Sequence, residues 1–141
     1  METNFHFQHA CSLTKRNELK CFLHDISKKE KTKIELLDVI FCDDDYLHHL
    51  NVAHLNHDTL TDIITFDLTE PNQKAKTGEL YISIIRVKEN ASLFHTTFKR
   101  ELHRVIFHGL LHLCGYKDKS KSDIAMMRSK EEFYLDRYFK S

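Results

Sequence analysis

The chain has 141 residues, 41% of them apolar or aromatic and 30% charged, with 21 Lys+Arg against 21 Asp+Glu. That length and apolar fraction fit one compact domain with a real core, and they exclude intrinsic disorder, collagen and coiled-coil rods. Zero formal net charge argues against a surface that grips nucleic acid all round, although a local basic groove is compatible with it. Three Gly and one Pro are too few for a barrel or sandwich of many tight turns, so long helices and few strands are expected.

In chain order, residues 4–8 alternate as a strand does. Residues 13–28 follow at helical spacing, with Leu13, Leu19, Phe22, Leu23 and Ile26 inward and Ser12 placed to cap. Residues 33–42 form an apolar run rich in branched side chains, the mark of a buried strand. The run Asp43-Asp44-Asp45 then offers an N-cap and first-turn negative charge for a helix from about Tyr46 to Asn56. Residues 62–68 and 79–85 read as two more strands, separated by the loop Glu70 to Thr77 around Pro71. A short helix from Val87 to Leu93 and a long one from Thr96 to Leu113 follow, the latter stopped by Gly115. Ser122 opens a last helix through Tyr138. The pattern β-α-β-α-β-β-α-α-α predicts an α+β domain with a mixed sheet of about four strands. No segment reaches signal-peptide or membrane-span length, and Cys11, Cys21, Cys42 and Cys114 read as free thiols of a cytoplasmic protein.

The informative stretch runs from His108 to Asp118, HGLLHLCGYKD. His108 and His112 lie one helical turn apart, a spacing that lets two imidazole nitrogens meet one metal ion. With eleven His in the chain, about one such pair arises by chance, so the pair alone proves nothing. Gly115 and Asp118 add the missing context: a helix stop three residues on, then a carboxylate as third donor. The pattern H-x-x-x-H-x-x-G-x-x-D has the ligand spacing of metzincin zinc proteases, except that Gly109 stands where those enzymes place a general-base Glu. A metal centre fits; peptide hydrolysis by that route does not. The plainer alternative is two half-buried helix histidines and an ordinary loop carboxylate. Cys114 points about 200° away from His112 and reads as packing. Glu101 and Arg104 share the helix face below His108. They either support the metal layer or simply form an i,i+3 ion pair. His103 faces elsewhere and reads as a surface residue, while Met127 and the aromatics Phe133, Tyr134, Tyr138 and Phe139 fit packing.

The stretch resembles the signature of the YbeY endoribonucleases, bacterial ribosomal-RNA maturation factors, written H-G-x-L-H-L-x-G-Y-D-H. Upstream, Leu50-Asn51 with Asp58 and TDIITF (61–66) is similar to the family's L-N … D-x-P-T-D-V-L-S-F. Gly78-Glu79 with Ile82-Ser83 resembles its G-D-I-x-I-S strand, and Met127, Arg128 and Glu131 its final helix. The likeness spans residues 34–135. It implies a zincin-like fold in a single domain, residues 1–141, with a metal site at the end of the long helix. It implies His108, His112 and Asp118 as ligands of one Zn per chain, other divalent metals being alternatives. The implied activity is a single-strand-specific, metal-dependent endoribonuclease acting on RNA in ribosome biogenesis, at the 3′ end of 16S rRNA. The attacking group would be a metal-bound water or the substrate 2′-OH, with no side chain assigned to it. Ribosomal particles, with a ribosomal protein as a further candidate, would be its partners, and no membrane. A different class, a non-catalytic metal-binding assembly factor, fits the same residues.

Two departures from the family pattern matter. Asp118 stands where the family has His, a harder, anionic donor. Leu55 stands where the family has an Arg, so phosphate contact must come from elsewhere. His57, Arg86, Arg104, Lys117 and Lys119 are the candidates, each also readable as an ordinary surface cation. Thr61, Asp62 and Ser83 are candidate substrate contacts whose plainer roles are turn capping and backbone satisfaction.

Overall fold

A computed structural model describes residues 1–55 and 61–140 of the chain. Its elements run β1 (Glu2–Phe7), α1 (Arg16–Lys29), β2 (Ile34–Cys42), α2 (Asp44–Leu55), β3 (Ile63–Asp67), β4 (Lys76–Ser83), α3 (Ile84–Leu93), α4 (Phe98–Leu113) and α5 (Lys121–Phe139). The strands form one sheet in the order β1-β2-β4-β3, parallel at β1–β2 and β2–β4 and antiparallel at β3–β4. This is the expected α+β class with a four-stranded mixed sheet.

The apolar run of β2 is buried on both sides. Leu37, Val39 and Phe41 join the main core with Leu80 and Ile82 of β4 and the inner faces of α1, α4 and α5. Cys42 joins a smaller cluster with Leu47 of α2 and Ile64 of β3 on the opposite face. α2 begins as its acids predict, with the Tyr46 amide donating to the Asp43 carboxylate at 2.7 Å. All four cysteines are free thiols, two of them half-buried, one buried and one exposed. Among the described residues no helix is long and apolar enough to cross a membrane.

Most boundaries shift by one or two residues, and three of the differences have identifiable reasons. α1 starts three residues late: Leu13 is buried before the helix begins, and Lys15, not Ser12, holds the N-cap position in the left-handed region without a side-chain cap. β4 begins within the predicted loop and stops at Ser83, whose hydroxyl accepts the Arg86 amide and starts α3 at once. The branched Ile84 and Ile85, strand-like in sequence, are therefore the first turn of a helix. α5 is capped by Ser120, which accepts the Asp123 amide, two residues before the predicted Ser122.

Candidate metal centre

α4 is buried almost all the way round. Arg104, His108 and His112 are the half-exposed exceptions over its last three turns, and their i, i+4, i+8 spacing makes them one open stripe. The rest of that length packs into the core. Gly109 makes the close packing possible, because a Cβ there would stand 2.7 Å from Ile63 Cδ1 and 2.8 Å from Leu80 Cδ2. Its lack of a side chain draws β3 and β4 against the helix, and β3 thereby becomes the wall of a cleft beside the stripe. That cleft, of about 580 Å³, is lined by Thr61 to Thr65 and Asp67 on one side and by His108, His112, Asp118 and Lys119 on the other.

The helix ends in a Schellman turn. The Gly115 amide donates to the His112 carbonyl and the Tyr116 amide to the Leu111 carbonyl, with Gly115 at φ +105°. The reversal carries Asp118 back to the stripe. Nε2 of His112 lies 3.0 Å from Nε2 of His108 and 3.2 Å from Oδ2 of Asp118, which is itself 3.5 Å from His108 Nε2. Among the described residues, these three form a group whose donor atoms all lie within 4.8 Å of one another.

The opposite nitrogens explain why the three converge. Nδ1 of His108 is 2.5 Å from Oε2 of Glu131, and Nδ1 of His112 is 2.9 Å from the Tyr116 carbonyl. Both partners only accept, so each Nδ1 donates a proton to its partner, and each ring turns its Nε2 toward the other ring and toward the Asp118 carboxylate. Two ring nitrogens and a carboxylate oxygen at such distances share either a proton or a metal ion between them. The donor set, two imidazoles and one carboxylate oxygen, fits zinc and related divalent ions.

Behind the stripe lies a buried ionic group that sequence reasoning saw only in part. Arg104 donates through Nε to Glu101 Oε1 and through Nη1 to Glu131 Oε1, both at 2.9 Å. Its Nη2 also meets Glu101 Oε2 and lies 3.7 Å from Asp62 Oδ2. The Glu101–Arg104 pair and the supporting role of this layer therefore coexist. Glu131 is the member whose role was missed. It occupies the buried stripe of α5 with Met127, Tyr134 and Leu135, and an acid at that helical spacing is the signal that would have revealed it. Burial works to raise its pKa, but the His108 hydrogen bond and the Arg104 charge prevail and hold it below the usual range. Asp62 goes the other way: burial raises its pKa, opposed by Arg104.

The remaining candidates separate clearly. Thr61 and Asp62 line the cleft, the Thr61 hydroxyl donating to the Ile63 carbonyl at 3.3 Å. Lys119 lines it too, whereas Lys117 is exposed and is not part of that lining. Ser83 is fully buried and donates to Asp44 Oδ1, so it supports the α2–α3 junction and does not face the cleft. Arg86 is taken up by Asp44 and Glu89, each at 2.8 Å. Like Arg104, it is already committed to carboxylates. His57 lies outside the described residues. His103, read as a surface residue, is buried at 2% exposure against Phe107, Tyr138 and Phe139. Met127 and Tyr134 are core residues as expected.

Comparison with known proteins points one way. The family model described as Endoribonuclease YbeY matches residues 4–139, a span that includes β1 and α1, upstream of the motifs. A Cytophaga hutchinsonii protein named Endoribonuclease YbeY is 51% identical over 136 residues, covering 95% of this chain and 94% of its own. One of the same name from Flavobacterium johnsoniae is 46% identical over 129 residues, covering 92% and 91%. The solution structure of TM1509 from Thermotoga maritima superposes with a TM-score of 0.64 at 31% identity, over 96% of this chain and 87% of that one. A match over almost the whole chain, joined to half-identical relatives of the same length, means that the chain belongs to the endoribonuclease YbeY family.

Proposed function

We propose that this chain is a single-strand-specific, metal-dependent endoribonuclease that matures the 3′ end of 16S rRNA during ribosome biogenesis. One zinc ion would be held by His108, His112 and Asp118. The observation that carries the metal dependence is the commitment of both Nδ1 atoms to acceptors, with both Nε2 atoms and the Asp118 oxygen facing one point. The names carried by the family's members support the endoribonuclease reading. Three protein donors, one short of the four usual in a structural zinc site, favour catalysis over a purely structural metal.

When bound, the ion supplies Lewis acidity at the scissile phosphodiester. The chain's own groups do the rest. Glu131 and the Tyr116 carbonyl fix the tautomer and orientation of the two imidazoles. β3 forms the wall against which a strand of RNA lies, and Lys119 offers an ammonium to a backbone phosphate at the cleft rim. Asp62 faces the same cleft with its pKa raised by burial, so its carboxyl is suited to hold or pass a proton at Oδ2. Arg104 keeps that carboxyl in place and stays charged among its three carboxylate neighbours.

The test is cleavage of a structured RNA carrying the 16S 3′ end by zinc-loaded protein. His108→Ala, His112→Ala and Asp118→Ala should each lower the rate by about 100-fold or more. Cleavage unaffected by all three changes would mean that the nuclease belongs elsewhere.

A further inference from the structure

The short loop between His112 and Asp118 has to hold two donors in register, yet Gly115, Lys117, Asp118 and Lys119 are all exposed. Tyr116 is its anchor, held at both ends. Its carbonyl takes the Nδ1 proton of His112 at 2.9 Å, and its phenol donates at 2.7 Å to Oε1 of Glu30, a residue 86 positions earlier in the chain. Glu30 is the C-cap of α1, and its side chain is only 8% exposed. A carboxylate so placed needs donors, and three converge on it from other elements: Tyr116 from the loop, and Tyr134 and Lys130 from α5, the ammonium at 3.3 Å.

We infer that Glu30 is a positioning residue for the metal centre: through the Tyr116 phenol it fixes the carbonyl that orients His112, and so sets the affinity for the ion. The inference rests on the metal reading above. The two phenols on Glu30 allow it to be separated from simple fold stability, because one belongs to the metal loop and the other does not. Tyr116→Phe removes the loop's tether while keeping the carbonyl, and Tyr134→Phe removes an equivalent hydrogen bond from outside the loop.

The measurements are the zinc dissociation constant of the full chain, by competition with a chromophoric chelator, and the melting temperature of the metal-free protein. Tyr116→Phe should weaken zinc binding by about tenfold, and Glu30→Gln should shift it in the same direction. Tyr134→Phe should lower the melting temperature while leaving the zinc constant within about twofold of wild type. An unchanged constant in Tyr116→Phe, or equal weakening by Tyr134→Phe, would overturn the role assigned to Glu30 while leaving the metal centre intact. Failure of the wild-type chain to bind zinc would overturn both, and the wild-type titration distinguishes that case.

Discussion

Gly109 shows how one absent side chain shapes a site. It lies between two ligand histidine candidates, where proteases of the same spacing need an acid, and its role here is steric. Two opposing effects decide the outcome of Gly109→Ala. Alanine gains about 1 kcal/mol of helix propensity, while forcing a methyl group between Ile63 and Leu80 costs about 1–3 kcal/mol. The atoms met below 3 Å are the terminal methyls of Ile63 and Leu80, but Leu80 is fully buried in a close-packed core where they give way only by displacing their own neighbours, so overpacking wins by a small margin. The variant should be about 1 kcal/mol less stable in urea unfolding, and β3 should move away from the stripe. A variant at least as stable as wild type would show that the two strands yield easily. The same residue shows the limit of motif reading: its small size was plain in sequence, but the neighbours that need it come from strands 29 and 46 positions away by number, Leu80 and Ile63.

At the scale of elements, α4 and α5 divide what was legible from what was not. The open stripe of α4 could be read from spacing, since His108, His112 and the Gly115 stop are local in sequence. Its partners are less legible: the acid Glu131 at an inward spacing of α5 is a local hint, but what Glu131, Tyr134 and Glu30 each bind lies across tertiary contacts that no short pattern encodes. His103 is the clearest miss. On a helix buried on nearly every face, a polar residue has no surface to occupy. Its Nδ1 settles for the Lys99 carbonyl at 2.7 Å, while Nε2 has no hydrogen-bond partner. Burial is the main cause that pushes its pKa down, with the Lys99 charge working the same way against the carbonyl hydrogen bond. The groups facing it from α5, Tyr138 and Phe139, bring no charge at neutral pH. The sign follows from linkage. The unfolded chain takes up a proton near the ordinary value of 6.5 while the folded chain resists, so stability is full above that pH and falls as pH drops toward the lower folded value. His103→Phe should flatten the part of the melting-temperature profile between about pH 7 and 5 that this residue causes. An identical profile in the variant would assign the acid sensitivity to other histidines.

For the whole molecule, the even balance of acids and bases has a measurable counterpart. Arg86 and Arg104 are already matched by carboxylates, and among the described residues Lys119 lines the cleft, with exposed Lys117 two positions before it, as cations for a phosphate backbone. Two neutralised phosphates on a single strand correspond to a slope of about −1.4 in log affinity against log salt. RNA binding titrated between low and physiological salt should give a slope near that figure. A slope several times steeper would require a wider basic footprint than these residues supply.

The position of β3 at the margin of the sheet carries a last consequence. A margin strand offers its outer amides and carbonyls to any extended segment that drifts past, including another copy of the same chain. Here that strand is only five residues long, begins directly after Asp62 and ends with Asp67. A copy aligned against it would trap two carboxylates at the ends of the new ladder. The acids that line the cleft thus also flank the open edge of that strand, a placement that works against such pairing.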